Sequence, residues 1–286
     1  MTEDQTARLP DSDDPEPTTV NPFAAAAAAR PRLRGFGATD KGNVRNHNED
    51  SMLTRDLAGI WMIADGVGGA SAGDWASAQV VDVLNEMRVA ERAPDFLVEA
   101  IDRLYEANTR MLDRAAQRGG GMIATTVVLL LAHGWHYTCI WAGDSRGYLL
   151  RDGKMEQITH DHSEVQELLD AGALTEDEAE RYPRANVITR ALGISAEVDL
   201  DRVAGRLQVG DRFLICTDGL TKMVPEPQIA AVLAEEDPSR SPQILMQMAL
   251  DAGGLDNVTV VVVQCDGPAG TATQSNGAAG PEGHDV

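Results

Sequence analysis

Four strand-like apolar runs in this chain meet an aspartate, and each aspartate has a glycine or another small residue nearby. "IWMIADG" ends at Asp65, "TCIWAGDS" at Asp144 and "RFLICTDG" at Asp218, while "LDNVTVVVV" starts from Asp256. A carboxylate at the end of a buried strand is costly unless a cation neutralises it. Glycine beside it lets backbone carbonyls approach whatever is bound. Taken alone, "WMIADGVGGASAGDW" reads slightly better as a tight strand-to-helix turn than as a metal or phosphate site, because Asp and Gly are common turn residues. Four such junctions exceed what turns require.

Hard divalent cations such as Mg2+ and Mn2+ prefer carboxylate, carbonyl and water oxygens. No His or Cys is spaced to offer a softer site. If the strand ends converge, they form an all-oxygen centre in which two ions can share one carboxylate, a known arrangement for phosphate-ester hydrolysis. Such a centre also needs a fixed cation for anionic substrate oxygens. Arg45, in "TDKGNVRNHNED", is the candidate, since a guanidinium grips phosphate in a two-pronged fork.

Bulk properties narrow the partners. The 286 residues carry a formal net charge of −21, which argues against nucleic acid as a ligand. The longest apolar run, Ile123 to Ala132, is too short to span a membrane and suits a buried strand. No basic segment followed by an apolar one opens the chain, so a cytoplasmic protein without a secretory signal is expected. Cys139, Cys216 and Cys265 are scattered and odd in number, which fits buried thiols in a reducing compartment.

Residues 1–32, acidic and then alanine-rich, and residues 266–286, rich in Gly, Ala, Ser and Thr, read as disordered tails. Residues 33–265 form one domain without repeats. Amphipathic helices are expected over 72–88 (Trp75, Ala76, Val80, Val83, Leu84, Met87) and 96–112 (Phe96, Ile101, Leu104, Tyr105, Asn108, Leu112), and again over 226–236 and 241–252. Strands cluster instead of alternating with helices, and "RDGK" predicts a hairpin, so the fold class is α+β with antiparallel sheets. Residues 160–195 form a polar helical flap with capping boxes at Ser163/Gln166 and Thr175/Glu178.

In order, "TDKGNVRNHNEDS", "ADGVGGASAG", "WAGDSRGYLLRDGKMEQITHDHS", "NVITRALG", "GDRFLICTDGL" and "DNVTVVVV" resemble the successive motifs of the PPM (2C-type) metal-dependent protein phosphatases. The match spans 35–265. The resemblance implies a four-layer αββα sandwich and a bacterial phosphoserine/phosphothreonine phosphatase that uses two Mn2+ or Mg2+ ions and a metal-activated water. It implies that Asp65 bridges the ions, that the Gly66 carbonyl reaches one of them and that Asp218 and Asp256 hold the other. Arg45 would clamp phosphate, Glu49 and Asp50 would orient water, and Asp144, with Asn186, would serve a third, weaker ion. The implied partners are phosphorylated proteins and a cognate serine/threonine kinase system, with the enzyme a monomer. The "WAGDSR", "DHS" and "NVITRALG" stretches most resemble phosphatases that accompany type VI secretion gene clusters.

The chain departs from the family pattern at "IATT" (Ile123 to Thr126), Ala70, Tyr182 and Val67. None of these removes a ligand. Val67 and Ala70 leave the general acid open: a metal-bound water is the simplest source of the proton, and His160 or His162 in the flap is the competing one. Two rivals stand beside this reading. "GDSRG" satisfies the G-x-S-x-G serine-hydrolase pattern, but that elbow needs a helix after it, and a hairpin is expected instead. A pseudophosphatase that only binds phosphoproteins would be favoured by a missing aspartate, and none is missing.

Overall fold

The computed structural model describes residues 30–67, 72–179 and 181–268. Most of both expected tails, and Ala70, lie outside these residues. Eleven strands are described: β1 (Arg32–Asp40), β2 (Asp50–Arg55), β3 (Ile60–Val67), β4 (Ala124–Thr125), β5 (Val127–His133), β6 (His136–Ala142), β7 (Arg146–Arg151), β8 (Lys154–Gln157), β9 (Asp201–Arg206), β10 (Arg212–Cys216) and β11 (Val258–Asp266). The helices are α1 (Gly73–Asn85), α2 (Ala93–Gln117), α3 (Glu164–Asp170), α4 (Glu176–Ala179), α5 (Asp218–Thr221), α6 (Glu226–Glu235) and α7 (Ser241–Asp251). The strands form two antiparallel sheets, one in the order β1-β11-β10-β7-β8 and the other β2-β3-β5-β6-β9, with β4 paired to β3.

Side-chain alternation explains the layering. Along β3, Ile60, Met62 and Ala64 pack with α1 and α2, while Trp61 and Ile63 point into the space between the sheets. β11 behaves the same way. Val258, Val260 and Val262 meet the layer of α5–α7, and Val261, Val263 and Cys265 face the other sheet. Both faces of these central strands are therefore buried, which is why they read as unbroken apolar runs. Three cores separate four layers, as the αββα expectation requires.

The finer expectations fared unevenly. The "RDGK" hairpin is present, with Arg151 opposite Lys154 and both Asp152 (φ 51°) and Gly153 (φ 78°) left-handed, as a type I′ turn demands. The Thr175/Glu178 box is complete, with Thr175 N–H reaching Glu178 Oε2 at 2.9 Å and Glu178 N–H reaching Thr175 Oγ1 at 3.4 Å. The Ser163 box is only half formed: Gln166 N–H reaches Ser163 Oγ at 3.3 Å, but the Gln166 amide turns to Asp170. On α2 the buried stripe is Phe96, Ala100, Leu104, Ala107, Asn108 and Met111. Tyr105 stays exposed and Leu112 half-buried, because the helix packs on α1 through a face that its small alanines define, rotated from the one the larger side chains mark.

Candidate metal centre

Loops at one end of the two sheets enclose a cleft of about 410 Å³. Its walls carry Arg45, Glu49, Asp65, Gly66, Val67, Asp144, Asn186, Ile188, Asp218, Lys222, Asp256 and Asn257. Every candidate site residue is brought there except Asp50. Asp50 is buried behind the wall, opposite Asp65 in the β2–β3 register.

Asp65 is held by its backbone. Its N–H donates to Thr126 Oγ1 (3.0 Å), and its carbonyl accepts from Thr126 N–H (2.9 Å) and from Thr125 Oγ1 (2.8 Å). The two threonines of "IATT" thus fix the height of the carboxylate, leaving its side chain free for the cleft. Gly66 follows where a side chain has no room: a Cβ there would lie 2.1 Å from the Gly73 carbonyl oxygen and 2.7 Å from that of Glu49.

The loop bearing Arg45 is stapled from the far end of the chain. Asn257 donates to the carbonyls of Lys41 (2.8 Å) and His47 (2.9 Å) and accepts from Glu49 N–H (2.8 Å). Arg45 in turn reaches Asp256 Oδ2 at 2.8 Å, and Lys222 pairs with Asp218 Oδ2.

The cleft concentrates negative charge. Asp65 retains some solvent contact, yet it is enclosed by protein, and burial followed by repulsion from Asp50, Asp218, Asp144 and Asp256 holds it well above the ordinary carboxylate range. Burial, with repulsion from Asp218, pushes Asp50 and Asp144 up to about 7. Asp50 Oδ1, Asp144 Oδ1 and Asp218 Oδ1 are buried with no hydrogen-bond partner. Buried polar atoms are normally paired, so two orphaned carboxylate oxygens on residues of the cleft wall, with a third behind it, are unusual. Among the described residues no three acidic or imidazole groups are drawn around a single point. The carboxylates line the walls, and two of them turn to a cationic side chain. The donor set fits hard divalent ions.

Asp144 follows Gly143, and the buried His162 holds that turn. His162 Nδ1 accepts from Gly143 N–H (3.2 Å), the His162 backbone N–H donates to the Gly143 carbonyl (2.9 Å), and Nε2 meets Asp201 Oδ2 at 3.1 Å. His160 is tied to Asp170 (2.7 Å). No histidine lines the cleft among the described residues. The flap is closed at its base by a bridge between Ser163 and Ile188, and its return is pinned by Asn108, which bonds Gly193 N–H (2.6 Å) and the Ser195 carbonyl (2.9 Å). Asn186 stands exposed at the cleft mouth.

The serine-hydrolase rival fails on geometry. Ser145 is buried, its Oγ shares a hydrogen with Thr126 Oγ1 (2.8 Å), and strand β7 follows it in place of a helix.

Comparison with known proteins agrees with this geometry. The family model described as protein phosphatase 2C matches residues 42–250. A serine/threonine phosphatase, stp, of Listeria innocua is 34% identical over 237 residues, 79% of this chain and 93% of that protein. The structure of PppA, described as a key regulatory component of T6SS in Pseudomonas aeruginosa, superposes with a TM-score of 0.77 at 38% identity, covering 82% of this chain and 99% of that one. The catalytic domain of the serine/threonine phosphatase PstP, solved with two manganese ions, gives a TM-score of 0.75 at 35% identity, covering 82% and 98%.

Proposed function

The chain belongs to the protein phosphatase 2C (PPM) family, and on that premise we propose that Asp65, the Gly66 carbonyl, Asp218 and Asp256 hold its two metal ions. It is a metal-dependent enzyme that hydrolyses phosphoserine and phosphothreonine on proteins, with Mn2+ or Mg2+ as cofactor. The observation that carries the residue assignment is the convergence of four strand-end aspartates, with orphaned oxygens among them, on one cleft. When bound, the ions supply Lewis acidity toward phosphoryl oxygens and activate water.

The chain's own residues position the substrate around them. Arg45 is exposed at the cleft wall and carries a charge that no accessible pH removes, so it binds the phosphate oxygens as a fork. Glu49 faces the cleft and orients water. Asp50 acts from behind: Thr217 Oγ1 donates to its Oδ2 at 3.0 Å, which ties β2 to the residue just before Asp218. Asp144 and Asn186 face the side of the cleft where a third, weaker ion would sit. His162 is occupied with Gly143 and Asp201, so it is a poor source of the proton for the leaving alkoxide.

The substrates are the targets of a cognate serine/threonine kinase, and the enzyme works as a cytoplasmic monomer. Among the described residues no helix is long and apolar enough to cross a membrane. Similarity to PppA supports a place in the regulation of a type VI secretion system. A pure binding role has no support, because all four aspartates face the cleft. The deciding experiment is hydrolysis of a phosphothreonine peptide with Mn2+ and then with EDTA. Turnover that needs Mn2+ and disappears in Asp65→Asn is expected. Mn2+-dependent turnover that survives in Asp65→Asn would remove the assignment.

A further inference from the structure

Lys222 has no part in the scheme above, yet it stands inside the same cleft. It lies four residues after Asp218, one helical turn on, with its N–H bonded to the Asp218 carbonyl at 2.9 Å. That geometry aims the side chain back along the helix, and its ammonium pairs with Asp218 Oδ2. It lines the cleft together with Asp144, Asp218 and Asp256. Arg45, the cation at Asp256, is exposed and has a phosphate to bind. Lys222 is more enclosed, and at 40% side-chain exposure it is partly shielded from screening water.

The two oxygens of Asp218 differ. Oδ2 is taken by Lys222, while Oδ1 is buried without a partner. One carboxylate can therefore serve the ammonium on one side and a metal ion on the other. Toward Asp144, the ammonium supplies the positive charge that a third divalent ion would otherwise bring. A lysine does this as a compact point charge with no open coordination position, so it neutralises carboxylates without activating water.

We propose that Lys222 is a tethered counter-ion that takes the Asp144–Asp218 side of the cleft, so that this phosphatase holds two divalent ions and excludes a third. The inference rests on the two-ion reading of the cleft. It makes Lys222 a positioning residue, acting through Asp218 and Asp144 and not on the substrate.

Metal binding tests it without reference to turnover. Mn2+ is titrated into the purified full-length protein, with heat and the electron paramagnetic resonance of free Mn2+ as readouts, and melting temperature as the check on folding. Wild type is expected to bind two ions. Lys222→Met should gain a third Mn2+ site, raising the stoichiometry from two ions to three, because a positive charge beside the ligands is gone. Lys222→Arg keeps the charge and should keep the wild-type isotherm. Asp144→Asn should abolish the gain in Lys222→Met. If Lys222→Met fails to fold, Lys222→Gln takes its place.

Identical isotherms for wild type and Lys222→Met would overturn the proposal and leave the two-ion centre standing. A third ion in wild type that is lost on Asp144→Asn would overturn it equally, as would a third site gained in Lys222→Arg. Fewer than two ions bound by wild type would overturn the metal-centre reading and this inference with it.

Discussion

Arg45 Nη2 lies 2.8 Å from Oδ2 of Asp256, across 211 residues of sequence, so the residue assigned to phosphate is paired with a residue assigned to metal. The pair is exposed on the Arg45 side, which limits its value to stability, but it sets up a competition. Phosphate and Asp256 want the same guanidinium, and Arg45 and a metal ion want the same carboxylate. Arg45→Ala is therefore expected to raise KM roughly tenfold, since one charge-assisted fork is lost. Mn2+ affinity should hold or tighten. Arg45→Lys should recover only part of the KM, because an ammonium lacks the planar fork. Steady-state kinetics over a Mn2+ series separates the two effects, and an unchanged KM in the alanine variant would place the clamp elsewhere.

Asp65 is pressed by four neighbouring carboxylates. Asp65→Asn removes one charge from that cluster while keeping the shape, so two readouts should move in opposite directions. Turnover should fall by roughly a hundredfold or more, as charge stabilisation at the reacting centre is lost. The melting temperature in EDTA should rise, because a repelled buried charge is gone. Asp256→Asn, at the cleft edge, should instead raise the Mn2+ concentration needed for half-maximal rate. Near-wild-type turnover in Asp65→Asn would sink the assignment.

The central strands were legible because both of their faces are buried, which leaves unbroken β-branched runs ending in Asp beside a small residue. The strands that escaped notice are those at or near the sheet edges. β1, β2 and β9 each end a sheet, are only partly covered, and carry glycines, arginines or other polar residues, whereas the edge strand β8 was legible through the "RDGK" turn. Their identity as strands comes from the neighbour they pair with. The aspartates could be picked out for the same local reason, and Arg45 for the affinity of a guanidinium for phosphate. Asn257 could not, since its role is to tie Lys41, His47 and Glu49 from more than 200 residues away. Lys222 left one readable sign, its spacing of four from Asp218, but the partner that gives it meaning, Asp144, is set by the fold.

Removing metal should make stability depend on pH in an unusual direction. Asp50 and Asp144 rise from 3.8 to about 7 in the folded protein, and Asp65 rises as well. A folded-state pKa above the unfolded one means the folded chain binds more protons in between. The associated stability is full below about pH 4 and lost as pH climbs through about 7. His162 works the other way: burial lowers its pKa, so it favours the folded state above its ordinary 6.5 and loses that contribution below. Three carboxyls outweigh one imidazole. In EDTA the melting temperature should therefore fall between pH 5 and pH 8, and Mn2+ should restore it at pH 8. A flat or rising profile in EDTA would contradict the raised carboxyls, and Asp50→Asn or Asp144→Asn should each flatten the slope.

His162 offers the sharpest separation between a structural and a chemical role. Its Nδ1 can accept from Gly143 N–H only when the ring is neutral, which leaves the proton on Nε2, facing Asp201. Burial lowers its pKa, the ring lies against Trp141 at 6.2 Å between centroids, and only 4% of its surface is exposed. Every polar edge is thus used to hold the turn before Asp144. His162→Ala should cost about 2 kcal/mol of stability, from the lost hydrogen bonds and the cavity left behind. Because Asp144 shifts whatever the substrate, kcat should drop by a similar factor for p-nitrophenyl phosphate and for a phosphothreonine peptide. A leaving-group acid predicts something different. p-Nitrophenolate leaves without help, whereas a threonine alkoxide needs a proton. Loss confined to the phosphopeptide would return His162 to the chemistry, and loss shared by both substrates keeps it in the frame of the site.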